Sequence, residues 1–176
     1  LREVLPAALL GGPDRQALLQ AILDTLLALD IDEEDDERIP SDAAIRDVAA
    51  AIAAGLASEA RVLPLERVAE LLRHPSAAVQ EVGARLLLGH AIAPEALPDA
   101  IIAGLLRSGH PALRTIGLHL FGRLPDAVLQ ARYAVLVHLC ANPHDDVRGA
   151  VRPIIRRLAP THPAFAVSLL ASLIDV

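Results

Sequence analysis

Three arginines, Arg148, Arg152 and Arg156, recur at every fourth position of NPHDDVRGAVRPIIRRL, residues 142–158. A guanidinium stays protonated and presents a planar fork of donors, so such a row suits the binding of carboxylates or phosphates rather than proton transfer. Residues four apart share one side of a helix. The row is therefore a cationic stripe turned away from Val147, Ala150, Val151, Ile154, Ile155 and Leu158, the apolar face of the same run. Its plain reading is a solvated face whose last-turn arginines complement the helix dipole. Its functional reading is a docking strip for an acidic partner, which Arg114, one period before Arg148, extends. The positions one and two periods before Arg152 and Arg156 are apolar or small, Leu118 and Gly122, then Ala84 and Leu88. Leu88 and Leu118 are thus candidates for the floor of a groove that takes a partner's amphipathic helix.

The remaining chemistry-bearing residues point away from catalysis. Seven carboxylates fill eight positions from Asp30 to Glu37 in DIDEEDDERIPSD. Their mutual repulsion keeps them in solvent, as a mobile surface insertion or as a contact for a basic partner. Calcium is disfavoured, because the run lacks the glycine at position six and the glutamate at position twelve of an EF-hand loop. The histidines fall in turns (His74, His110, His144, His162) or within helices (His90, His119, His138), and no pair has zinc-helix spacing with a carboxylate between. Cys140 shares a column with Leu72 and Leu106 and reads as a core thiol with no base nearby. No catalytic residue, metal ligand or cofactor site is expected.

These residues must be positioned by helices. The chain has 176 residues, 53% hydrophobic and only 2% aromatic, with alanine and leucine dominating. That composition favours an all-α chain packed through small and aliphatic side chains. Val79, Leu113 and Val147 stand 34 residues apart, as do Val82, Ile116 and Ala150, and Leu86, Leu120 and Ile154. Leu71, Leu105, Leu139 and Leu173 form a column of four, Leu63-Pro64 matches Leu97-Pro98, and Ile45, Val48 and Ile52 extend the register backwards. The 3.6-residue periodicity and its punctuation predict helices near 14–29, 42–57, 63–73, 76–89, 97–107, 111–124, 126–141, 145–158 and 162–175, with the remnant of a tenth in residues 1–10. Ser76 is the expected N-cap of its helix, and Pro64 suits a first turn. The units run 14–57 with an acidic insertion at 30–41, then 58–91, 92–125, 126–159 and a partial 160–176. No helix of such a pair buries its stripe alone, so the units are expected to stack as one α-solenoid.

Within that class the chain resembles the HEAT family. Val147-Arg148 looks like the branched residue and arginine that open the family's second helix, and Leu113-Arg114 and Ile45-Arg46 keep the pair. Val79-Gln80 replaces the cation, and the family's aspartate column is held by Pro40, His74, Ser108 and Asn142. Tetratricopeptide repeats have the same period but depend on aromatic positions, and this chain has no tryptophan, one tyrosine and two phenylalanines. The resemblance implies a right-handed solenoid whose second helices line a concave surface. It suggests a non-catalytic protein-interaction or scaffold module. Some families with this solenoid act on DNA, and a nucleic-acid-binding or repair solenoid is the alternative, as is a structural spacer. A net charge of −6, the absence of lysine and the few aromatics weigh against nucleic acid.

The longest runs without a charged residue or histidine, 48–58 and 163–174, fall short of the ~20 apolar residues that span a bilayer. No charged-then-apolar leader opens the sequence, and a lone cysteine makes no internal disulfide, so a reducing cytoplasm is expected. The missing methionines and the all-arginine basic set suggest a piece of a longer protein from a GC-rich bacterial genome.

Overall fold

The structure is a computed structural model that describes residues 14–29 and 41–174. The expected helix in residues 1–10 and most of the acidic insertion lie outside these residues. Every regular element described is helical, so the all-α expectation holds. Among the described residues no helix is long and apolar enough to cross a membrane.

The chain divides into two compact units, residues 1–91 and 92–176. The first contains α1 (Arg15–Leu27), α2 (Asp42–Gly55), the single turn α3 (Ala57–Ala60), α4 (Leu65–Arg73) and α5 (Ala77–Gly89). α4 packs closely along α5, α2 lies beside α5, and α1 lies against α3 and α4. Local chemistry sets these boundaries. Ser41 and Ser76 cap α2 and α5, their Oγ atoms accepting from the Ala44 and Val79 amides at 3.3 and 3.4 Å. His74, ahead of Pro75, is held extended at φ −60°, ψ 142°, which ends α4. The expected 42–57 helix stops instead at Gly55, where Leu56 leaves helical geometry with its side chain buried.

The second unit contains α6 (Asp99–Arg107), α7 (Pro111–Gly122), α8 (Asp126–Ala131), α9 (Tyr133–Cys140), α10 (Asp145–Thr161) and α11 (Pro163–Ile174). α6 packs along α7, α10 lies between α7 and α9, and α11 covers α9 and α10. The expected single helix over 126–141 is broken at Arg132, φ −96°, ψ 35°, whose guanidinium pairs with Asp99 of α6. α10 runs to Thr161, beyond the expected 158: Pro160 stands in its last turn, and Thr161 Oγ1 and the His162 amide close on the Leu158 carbonyl.

The core is made of the apolar columns. Ile45, Val79, Leu113 and Val147 are all buried, as are Ile52, Leu86, Leu120 and Ile154, and Leu71, Leu105 and Leu139. Fixing each such aliphatic side chain away from water contributes ~1.5–3 kcal/mol before entropy is counted. Two pairs close through a glycine. A Cβ at Gly83 would stand 2.8 Å from Leu71 Cβ, and one at Gly117 would stand 2.8 Å from Leu105 Cβ. The expected face of α10 is only partly buried: Val147, Val151, Ile154 and Leu158 are enclosed, Ile155 is half-buried and Ala150 is exposed. Ala150 and Ile155 flank the stripe on opposite sides, about 60–80° from its centre at 100° per residue, so the neighbouring helices do not cover them equally.

Candidate functional site

The α10 helix begins after an Asn142 turn, in which Asn142 Oδ1 accepts from the His144 amide at 3.0 Å. Its buried stripe faces α7 and α9, which fixes where its four arginines go. Two of them are committed to the fold. Arg148 donates to the Asn142 carbonyl and pairs with Asp145. Arg157 donates to the Gly122 and Leu124 carbonyls, each at 3.0 Å, and pairs with Asp126 at 3.0 Å. Arg152 and Arg156 are exposed, and among the described residues neither has a carboxylate within 4.0 Å.

Both exposed guanidiniums border a shallow depression of about 310 Å³, lined by Cys140, Arg148, Val151, Arg152, Ile155 and Arg156. Cys140 is half-buried, and burial pushes its thiol pKa up, so it contributes a neutral, apolar wall rather than a nucleophile. The sequence reading of Cys140 as a core thiol missed this edge position.

Arg114, Leu88 and Leu118 do not line this depression. Arg114 is buried on α7, 6% exposed. It donates from Nη1 to the Ser108 and Gly109 carbonyls at 3.1 and 3.0 Å and reaches Asp146 of α10 at 3.4 Å. Its Nε is enclosed without a hydrogen-bond partner among the described residues. Leu118, in the second unit, is buried, and Leu88, in the first, is half-buried. Three of the six candidates, Arg148, Arg152 and Arg156, thus come together on one surface.

Gln80, Arg114 and Arg148 do the same local job. Each sends a side-chain N–H back six residues to a turn carbonyl, that of His74 at 2.6 Å, Ser108 at 3.1 Å and Asn142 respectively. The turn requires a long donor, and a charge is optional. Between neighbouring helices the carboxylates do the linking. Glu81 of α5, 7% exposed, accepts from Arg46 of α2 at 3.2 Å and from Arg85 at 2.6 Å. Burial alone would raise its pKa, but the two guanidiniums outweigh burial and hold it below the ordinary carboxylate value.

Among the described residues no three His, Cys, Asp or Glu side chains gather to hold a metal ion. No protein-family model matches the chain, and comparisons with curated proteins and with solved structures return no match.

Proposed function

We propose that this chain is a non-catalytic interaction module of the HEAT-like α-solenoid kind, which docks an acidic partner on the outward side of α10. The repeat part of this reading is supported by recurrences 34 residues apart: Gly83 on Leu71 and Gly117 on Leu105, the proline starts at Pro64 and Pro98 with the same φ −54° and ψ 132°, and the donors at 80, 114 and 148. One observation carries the docking part: Arg152 and Arg156 stand exposed, without carboxylates among the described residues, beside the apolar Val151 and Ile155 in one depression. Two cations flanking an apolar floor suit an amphipathic segment with carboxylates along one edge.

The test is a titration of the chain into a fluorescein-labelled Glu/Leu amphipathic peptide, followed by anisotropy at low and at high salt. Binding that weakens ~10-fold or more between about 50 and about 300 mM salt is the expected result. Absence of binding at low salt contradicts the proposal, and preferential binding of a labelled DNA duplex would favour the nucleic-acid alternative.

A further inference from the structure

We infer that the occupant of the α10 depression is the acidic run at residues 30–37 of a second copy of this chain, an inference that rests on the acid-docking reading above. The two surfaces complement one another in charge. Residues 1–91 hold eight arginines against sixteen carboxylates, net −8, and residues 92–176 hold eight arginines against six carboxylates, net +2. Seven of the sixteen lie in the one run, and the described carboxylates that face Arg148 and Arg157 leave Arg152 and Arg156 unmatched.

Spacing agrees as well. Arg152 and Arg156 are separated by a rise of ~6 Å along α10. Alternate side chains of an extended strand are ~7 Å apart. In sequence Asp32, Glu34 and Asp36 are one alternate set and Glu33, Asp35 and Glu37 the other, so a run bound in extended form would offer two carboxylates to two guanidiniums in either register. Ile31, the one apolar residue within the run, matches the floor of Val151, Ile155 and Cys140. Because donor strip and acidic run are different segments of the chain, the contact between copies is heterologous, and copies associate by reciprocal exchange, as rings or as open chains.

The experiment is sedimentation velocity of the full chain over a concentration series, paired with anisotropy of a labelled peptide of residues 28–41. The expected result is an average mass that rises steadily with concentration at about 50 mM salt and falls back at about 300 mM. The same peptide should bind, and R152E/R156E should weaken both readouts ~10-fold or more. Joining R152E/R156E to Glu34→Arg/Asp36→Arg in one chain should restore association, which a merely structural role of the arginines would not do. A chain that stays monomeric throughout overturns the inference. If the Glu/Leu peptide binds but that of residues 28–41 does not, the inference fails while the docking reading stands; if neither binds, both fail.

Discussion

At the scale of single residues, the polar groups inside this molecule are placed to satisfy turns and to link neighbouring helices. Glu81 illustrates the electrostatics. Its folded pKa is depressed, so its contribution is present above the unfolded carboxylate value of ~4.3 and is lost as pH falls through the lower folded value. Glu81→Gln should therefore destabilise the chain by ~1 kcal/mol at pH 7, discounted for the half-exposed Arg46 and Arg85. Urea midpoints of wild type and variant should converge as pH falls below the unfolded carboxylate value and through the lower folded one; a gap that persists in acid would show that packing, not charge, is lost. Arg114 tests the turn bond separately. Arg114→Gln retains a donor for the Ser108 carbonyl and should lose less stability than Arg114→Met, which leaves two turn carbonyls unmet at a cost of ~1–3 kcal/mol. Equal melting temperatures for the two variants would contradict that role. The identity of these donors is legible in the sequence, but their use is not: the reach from 114 to 108 depends on the shape of the turn. The arginine pattern alone therefore grouped buried Arg114 with exposed Arg152.

At the scale of helices, the positions of the elements follow from periodicity, capping serines and prolines, and most were legible from residue types alone. The main departure has a long-range cause. Arg132 interrupts 126–141 where its side chain meets Asp99, a contact thirty-three residues away that no local pattern encodes. The two close glycines were likewise hidden, since a glycine within a helix reads only as a weak helix former. They now separate sharply from glycines in open space. Gly83→Ala and Gly117→Ala must push Leu71 or Leu105 away and should each destabilise by ~1–3 kcal/mol. Gly104→Ala, in α6 with nothing within 4 Å of the new methyl, should stabilise by ~0.5–1 kcal/mol through helix propensity. Thermal melts of the three variants decide the matter, and a stabilising Gly83→Ala would mean that α4 and α5 do not approach so closely. α11 is held by buried Leu169, by the edge contact of Phe165 with Tyr133 at 5.6 Å, and by the Tyr133 hydroxyl donating to the Ser168 carbonyl at 2.6 Å. Its opposite side exposes Val167, Leu170 and Ile174. Deleting residues 162–176 should uncover α9 and α10 and promote aggregation, visible by light scattering; an equally stable, monomeric truncation would show that α11 contributes nothing to their burial.

At the scale of the whole molecule, stability and recognition are assigned to different sides of the same helices. The apolar columns at 45, 79, 113 and 147, and at 52, 86, 120 and 154, carry the burial. The exposed guanidiniums of Arg152 and Arg156 take no part in it. The most direct test is R152E/R156E, with melting temperature and affinity for the Glu/Leu peptide measured on the same preparation. The account expects a loss of only ~0.5–1 kcal/mol, mainly from acidic charge in the C-terminal half of α10, together with peptide binding weakened ~10-fold or more. Unchanged binding at unchanged melting temperature would contradict the docking strip, and loss of the fold would contradict the outward placement of both arginines.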